Sequence, residues 1–461
     1  AVVLGTMNIA ALSCGFSYGH VSGMIRSLQK NEDGITISEG QMSVIAACMT
    51  FCCIFGIHLL ALFGEKIGRR WSYILFSIPL FLNWVLVYYA TGFVTLLTSK
   101  ILGGISVGGI GILNLVAAAE FTSPNSRAFF LSMVSMVAPA VGTGLGHTLG
   151  VIVHWRTLAL SGILLSIASL ILPLMCVESP QWLASKGRFE DCEKAFRQLH
   201  GSKPSSEEEL RLLITMERSK QKSSKNMIKK VLVAFKKKYF WGLIVTNFFI
   251  YTYYSAAGKA IFSNLATVML EEMTGTSDVL LYTLLVDGFI LIGTCASCVL
   301  IRKMSVRMLL FSSGFIANGV LITLSACLYF KNTEQYFQWI NVTLFALYFI
   351  IVHAGPYPVM EILLGELFPL DIKLFCFFLT TPTFAATVCA SIIVMPILVG
   401  LIGYHGLFLL NSVLVFVCLI YFWIRLPETK GKTLQEIEVY FKTNDFDVDK
   451  ATCDDQIKSF I

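Results

Sequence analysis

The sequence predicts an all-α membrane protein with twelve transmembrane helices in two six-helix bundles and a cytosolic helical central loop. Of the 461 residues, 56% are hydrophobic and 14% are charged, and the mean hydropathy is +0.72. That balance is typical of a chain embedded in lipid rather than of a soluble protein. The charges lie in short strings between apolar blocks of about 20–25 residues, and a hydrocarbon core about 30 Å thick needs roughly 20 apolar residues per helix.

Each apolar block is expected to be a helix, because lipid offers the backbone no hydrogen-bond partner. The first block ends in the polar residues His20, Ser22 and Arg26 and further spans follow closely, so it is interpreted as a span and not as a cleaved signal peptide. The predicted spans are 1–25, 41–63, 71–91, 94–119, 128–152, 156–177, 239–268, 279–301, 308–330, 338–365, 374–400 and 404–426.

Lysine and arginine set the expected orientation. One side carries most of them: Arg69, Arg70, Arg127, the stretch 186–238, Arg302, Lys303, Arg307, Lys373 and Lys430. The other side carries mainly Arg26, Lys30, Arg156 and Lys331. The cation-rich side is expected to be cytosolic. An even number of spans places both termini on that side. The expected location of the protein is the plasma membrane. The net charge of +6 is explained by these loops and requires no nucleic acid.

The chain divides into four predicted regions around its only long hydrophilic stretch. Helical periodicity at 190–199 and 207–218 indicates amphipathic helices in that stretch, whereas 443–461 is expected to be disordered. The predicted regions are a first bundle at 1–178, a cytosolic helical loop at 179–238, a second bundle at 239–426 and a cytosolic tail at 427–461.

Enzyme chemistry is not expected. Cys295 and Cys298 have C-x-x-C spacing, but they lie in an apolar block, where small residues pack helices closely. The glycine clusters at 103–111 and 142–146 also lie inside apolar blocks and not after a strand, which excludes a dinucleotide site. The sequence predicts no catalytic residues, no metal site and no cofactor.

One span carries a helix-breaking string, Gly355-Pro356-Tyr357-Pro358. Proline removes helix hydrogen bonds, and free carbonyls at membrane depth are tolerated only inside protein or beside a cavity. Carriers built from two repeats place their substrate near the midplane at such interruptions. A substrate pathway between the two bundles is therefore expected at this level.

Five short charged motifs follow one another on the expected cytosolic side. They are Gly64-Glu-Lys-Ile-Gly-Arg-Arg70, Glu120-Phe-Thr-Ser-Pro-Asn-Ser-Arg127, Glu178-Ser-Pro-Gln-Trp-Leu183, Gly365-Glu-Leu-Phe-Pro369 and Pro427-Glu-Thr-Lys-Gly431. In this order, over essentially the whole chain, they resemble the sugar porter family of the major facilitator superfamily, which includes facilitative hexose carriers and insect trehalose transporters. The resemblance implies the major facilitator fold and transport by alternating access.

Ion pairs at these motifs are expected to join the bundles and to close the cytosolic mouth. The alternative is that the charges only anchor loops. The resemblance implies a gating role for Glu65, Arg69, Arg70, Glu120, Arg127, Glu178, Arg307, Glu366 and Glu428. The turn of the second half, residues 302–307, lacks the acidic residue that the family has there, so that half of the network is expected to be weaker.

The resemblance also points to the substrate site, where this chain departs from the family. Glutamines and asparagines that hold sugar in the family are replaced, and a tryptophan is replaced by Glu361. An aspartate that accompanies proton coupling in the family is replaced by Ser17, which favours uniport. The candidate substrate-binding residues are Ser17, Ser135, Tyr253, Tyr254, Lys259, Tyr357 and Glu361.

Lys259 and Glu361 are expected to form an ion pair, because charges inside a membrane protein face a cavity and pair with each other. Asp287 is the rival partner for Lys259. The pair has three possible roles: a structural contact, a binding site for a charged or zwitterionic solute, or a proton-linked switch.

The sequence therefore predicts a carrier of a small polar solute, by default a sugar (hexose or trehalose), working as a facilitative uniporter. The expected partners are the solute and membrane lipid, and the expected state is a monomer. Two alternatives stay open: a carrier of a charged or zwitterionic solute, and a nutrient sensor on the same scaffold that does not transport.

Overall fold

The structure is a computed structural model. It describes residues 2–30, 34–35, 37–223, 235–259, 279–330, 335–369, 372–443 and 446. Across these ranges the chain is helical, and no strand occurs in them. Ten described helices are long and apolar enough to span a membrane. The predicted all-α membrane fold is confirmed.

The first six spans form one bundle. They are α1 (Val2–Gln29), α2 (Glu39–Ile67), α3 (Arg69–Tyr88), α4 (Phe93–Phe121), α5 (Pro124–Ile152) and α6 (Trp155–Met175). Helix α1 packs against α5 and α6, while α2 and α3 pack against α4. The helix ends differ from the predicted spans by a few residues.

Short helices follow the first bundle: α7 (Pro180–Ser185), α8 (Phe189–His200) and α9 (Pro204–Ser223). The amphipathic helices predicted at 190–199 and 207–218 are thus confirmed as α8 and α9. Apolar side chains of α7, α8 and α9, including Trp182, Phe196 and Leu213, form a small core of their own. This core packs the three helices of the central segment against one another.

The second bundle contains the remaining spans. They are α10 (Lys238–Ala256), α11 (Val279–Lys303), α12 (Val306–Tyr329), α13 (Gln335–Ala354) continued by α14 (Pro356–Leu367), and two spans within α15 (Lys373–Arg425). Helix α12 packs against α13 and α15, α10 packs against α15, and α11 packs against α13. The two bundles meet where α2 contacts α15, α5 contacts α11, and α14 contacts α4 and α5.

A further helix, α16 (Leu434–Thr443), lies in the predicted tail at 427–461. It packs against α9, α10 and α14. Its buried side chains include Ile437 and Val439. The expectation of disorder for 443–461 falls almost entirely outside the described residues.

Spans of the second bundle are interrupted. The predicted break is confirmed at Gly355, between α13 and α14. Helix α15 turns at Gly403, whose φ is +68°. Helix α10 ends at Ala256 and is followed by a turn with Gly258 at φ +81°, a left-handed conformation that glycine adopts without a Cβ penalty. This last break contradicts the prediction of a single span at 239–268, of which 260–268 lie outside the described residues.

Close helix contacts explain the glycine clusters of the first bundle. A Cβ at Gly142 would collide with the backbone carbonyl of Leu12 on α1, and one at Gly108 would collide with the carbonyl of Cys53 on α2. Small residues allow backbones to approach in membrane helices. The interpretation as packing residues is confirmed for Gly108 and Gly142, whereas a Cβ at Gly111 would have no neighbour within 4 Å.

Candidate functional site

Charged side chains gather at one end of the bundles, which we call the charged face and define by Glu120, Arg127, Glu178, Glu366 and Glu428. Arg69 meets Glu120 there in a bidentate pair, with Nε 2.9 Å from Oε2 and Nη2 2.7 Å from Oε1. The two side chains are 3% and 2% exposed. Such a planar, charge-assisted contact is a strong one.

The Arg69 pair is extended within the first bundle. Nη2 of Arg69 lies 3.2 Å from Oε1 of Glu65, one turn away on α2. Ser179 donates its hydroxyl to Glu120 at 2.6 Å. These contacts correct the expectation that Glu65, Arg69 and Glu120 pair between the bundles, because all the partners belong to the first bundle and its connecting segment.

Two carboxylates occupy matching positions in the two halves. Glu178 accepts the backbone N–H of Arg69 at 2.8 Å and that of Arg70 at 3.3 Å, at the start of α3. Glu428 accepts the backbone N–H groups that begin α12, from Val306 at 3.1 Å and Arg307 at 3.0 Å. A carboxylate at a helix N-terminus satisfies free N–H groups and interacts favourably with the helix dipole.

The arginines beside these two carboxylates make matching contacts in the two halves of the chain. Nη2 of Arg70 donates to the carbonyl of Leu174 at 2.8 Å, and Nη2 of Arg307 donates to the carbonyl of Trp423 at 2.8 Å. The second half therefore keeps its carboxylate cap and its guanidinium contact, although its turn lacks the acidic residue at 302–307.

Glu178→Ala is expected to lower the free energy of unfolding by about 1–2 kcal/mol, the usual cost of losing a helix cap. Burial raises the pKa of Glu178 above its ordinary value, against the lowering effect of its N–H donors. A raised folded-state pKa contributes stability at low pH that is lost as the pH rises through it. The difference between wild type and Glu178→Ala, measured by thermal unfolding, should be larger at acidic than at neutral pH.

Glu428→Ala is the matched variant of the second half and should lose a similar amount at neutral pH. Equal stability of Glu178→Ala and wild type at all pH values would contradict the capping role.

One ion pair joins the bundles at the charged face. Nη1 of Arg127, at the start of α5, lies 3.7 Å from Oε1 of Glu366 on α14, and the side chains are 1% and 4% exposed. Nη1 also donates to the carbonyl of Lys432 at 2.9 Å. On α15, the Nζ of Lys373 donates to the carbonyl of Gly365. Arg127 and Glu366 thus fulfil the expected cross-bundle contact.

The predicted central pair is confirmed. Nζ of Lys259 lies 2.6 Å from Oε1 of Glu361, and the side chains are 33% and 13% exposed. Nζ also lies 4.1 Å from the ring centroid of Tyr254 and 5.6 Å from that of Tyr357, within the range of cation–π attraction. Lys259 is the more accessible member of the pair.

The chain folds this way because two broken helices meet. Lys259 ends the turn that follows α10, and Glu361 lies on α14, just beyond the break at Gly355. The carbonyl of Ala257, freed by the break in α10, accepts the hydroxyls of Tyr348 and Tyr357, each at 2.8 Å. The tyrosines therefore satisfy a buried carbonyl that the helix break leaves without its helical partner.

The other substrate-binding candidates lie elsewhere. Ser17 on α1 is fully buried, and its hydroxyl has no hydrogen-bond partner among the described residues. Ser135 lies in the π-helical turn of α5 and donates to the carbonyl of Leu131 at 2.6 Å. Tyr253 is fully buried, with its ring 6.4 Å from that of Phe422. The structure groups Lys259, Glu361, Tyr254 and Tyr357.

Asp287 is not the partner of Lys259 in this structure. Its Oδ2 lies 2.6 Å from Nδ1 of His147, with the side chains 13% and 20% exposed. Like Arg127–Glu366, this pair connects the two halves of the chain. His147 belongs to none of the sequence motifs, so only the contact between α5 and α11 identifies its pairing with Asp287.

Linking His147 and Asp287 covalently is expected to arrest transport, because α5 and α11 belong to different bundles. In the His147→Cys/Asp287→Cys variant, a short bis-methanethiosulfonate, which forms a disulfide with each cysteine, should abolish most solute uptake into vesicles. A reductant cleaves both disulfides and should restore uptake. His147→Cys alone is the control. Unchanged uptake in crosslinked protein would show that the bundles do not separate here.

Comparisons with known proteins identify the family of the chain. A family profile described as "Sugar (and other) transporter" matches residues 4–441. The facilitated trehalose transporter Tret1 of Polypedilum vanderplanki is 26% identical over 467 residues, covering 95% of this chain and 86% of the relative. Tret1 of Apis mellifera ligustica is 26% identical over 456 residues, covering 94% and 86%.

Solved structures show the same fold. The proton:xylose symporter XylE bound to 6-bromo-6-deoxy-D-glucose superimposes with a TM-score of 0.80 at 19% identity, covering 95% of this chain and 98% of that one. The inward-open conformation of XylE from E. coli gives a TM-score of 0.60 at 18% identity, over 95% and 98%. The chain belongs to the sugar (and other) transporter family, whose members are membrane transporters and not enzymes.

Proposed function

We propose that this protein carries a sugar, with trehalose or a hexose as the first candidates, by facilitative alternating access. The observation that carries the proposal is the family match over residues 4–441, together with relatives described as facilitated trehalose transporters. These findings favour a sugar over the charged solute and over the sensor without transport.

The candidate site supports a polar, uncharged cargo. Lys259 and Glu361 neutralise each other at 2.6 Å, so the site offers a donor and an acceptor without a large net charge. The ring of Tyr254 lies beside them and presents an apolar face. A sugar presents hydroxyl groups, which the pair can bind by hydrogen bonds, and an apolar ring face, which can pack on the tyrosine ring.

Two ion pairs connect the bundles on either side of the proposed transport pathway. Arg127 and Glu366 close the charged face, and His147 and Asp287 connect the bundles farther along α5. Rocking of one bundle against the other breaks one contact while preserving the other. We assign the bundles to 1–178 and 239–426, with 179–238 and 427–461 on the cytosolic side.

The orientation and setting belong to the same proposal. The cation-rich charged face is cytosolic, as are both termini, and the protein works as a monomer in the plasma membrane, surrounded by lipid. Ser17 on α1 offers no carboxylate to carry a proton, which supports uniport.

The test is uptake into vesicles that contain the purified protein. Labelled trehalose and glucose should enter saturably, without a pH gradient, and unlabelled sugar inside should accelerate entry. Empty vesicles and a labelled amino acid are the controls. Binding of sugar without any uptake would support the sensor instead, and uptake of the amino acid alone would contradict a sugar cargo.

A further inference from the structure

A cleft of about 490 Å³ opens on the charged face, between the start of α3 and the helices α7 and α8. Its lining contains three cations, Arg70, Arg188 and Lys194, and two carboxylates, Glu178 and Asp191. Glu178 accepts the backbone N–H groups of α3, and Asp191 pairs with Arg188. The rings of Trp71 and Trp182 also face it. The central pair of the transport site is not part of this cleft.

Two of these cations retain unused donors. Nε of Arg70 is buried and has no hydrogen-bond partner in the described part of the chain, an unfavourable arrangement unless an acceptor arrives. Arg188 is paired with Asp191 at 2.7 Å, whereas the described residues place no carboxylate within ion-pair distance of Lys194. Guanidinium and ammonium groups with free donors suit the oxygens of a phosphate.

The surroundings distinguish a lipid phosphate from a soluble one. Trp71 is 54% exposed and begins an exposed apolar stripe along α3 that continues through Leu75, Ile78 and Leu82. These residues recur at helical spacing and so lie on one face. Tryptophan is enriched where a membrane meets water. A phosphate bound in the cleft has room for acyl chains along this stripe.

We propose that the cleft binds the headgroup of an anionic phospholipid, with Arg70 and Lys194 contacting its phosphate and the acyl chains following α3. The bound lipid ties α3 to α7 and α8. Trp182, which lines the cleft, donates its indole N–H to the carbonyl of Glu65 at 3.0 Å, so the lipid lies next to the charged network.

The test uses the full-length protein in detergent, offered equal amounts of phosphatidylglycerol and phosphatidylcholine and examined by native mass spectrometry. Wild type should retain phosphatidylglycerol preferentially. Lys194→Gln should weaken that retention about fivefold, the usual effect of one basic residue at an anionic surface. Lys203→Gln, an exposed lysine outside the cleft, should retain it like wild type.

Equal retention of both lipids by wild type, or equal weakening by Lys194→Gln and Lys203→Gln, would overturn the proposal. Inorganic phosphate is the second arm of the experiment. If phosphate alone binds in a manner that depends on Lys194 and displaces the lipid at millimolar concentration, the ligand is a soluble phosphate, and the lipid assignment is wrong.

Discussion

Glu361→Gln is expected to reduce sugar transport at least tenfold and to lower the free energy of unfolding by about 2–3 kcal/mol, the range for hydrogen bonds to charged groups. The substitution leaves Lys259 without its carboxylate at membrane depth. Fully buried pairs cost more when one member is removed, but Lys259 is 33% exposed and is partly hydrated. Thermal unfolding of the purified protein and uptake into vesicles measure the two effects.

The double variant Lys259→Met/Glu361→Gln separates structure from transport. It removes both charges, so stability should return towards that of wild type. If stability returns while uptake stays low, the pair contacts the cargo. If both return, the pair is a structural contact only. A double variant no more stable than Glu361→Gln would contradict the idea that the unpaired lysine causes the loss.

Glu366→Gln is expected to open the charged face. The Arg127 side chain is 1% exposed, and losing one member of a buried pair costs about 3–5 kcal/mol. Opening hydrates the unpaired arginine, so the equilibrium between the closed and open forms should shift by about 100- to 4,000-fold, at 1.4 kcal/mol per tenfold. Faster amide hydrogen exchange in the segments around Arg127 and Glu366 reports this shift, and transport should slow.

Arg156→Gln is the matched control. Arg156 donates to the carbonyls of Tyr88 and Ala90, both within the first bundle. Its loss should lower stability without raising exchange at the charged face. In Arg127→Gln/Glu366→Gln, with no buried charge left, the shift should be smaller than in Glu366→Gln. Unchanged exchange in Glu366→Gln would show that the pair, whose 3.7 Å separation is longer than a hydrogen bond, does not control closure.

The sequence predicts those features that depend on the cost of charge in lipid. The positions of the spans follow from that cost. The pairing of Lys259 with Glu361 follows from it too, because a single charge at membrane depth is unfavourable. It does not determine which helices of different bundles approach each other. His147 and Asp287 pair because α5 and α11 lie side by side, which no local pattern indicates.

Local sequence was also insufficient at the charged face. Arg69 and Glu120 were expected to bridge the bundles, yet both belong to the first, because α3 packs along α4 and brings them together. The break after Ala256 was missed because its signal, Gly258, is a single residue in an apolar block. Glycine is common in membrane helices, and whether it packs or bends is decided by its neighbours.

The contact between Arg127 and the backbone of Lys432 has a practical consequence for protein engineering. Lys432 takes part in the contact between the bundles, because its main-chain carbonyl accepts a hydrogen bond from the guanidinium that pairs with Glu366. A truncation that removes α16 and its approach would leave Arg127 one acceptor short, and side-chain substitution at Lys432 would not mimic it. Reporter fusions are therefore best attached beyond residue 443, where α16 has ended.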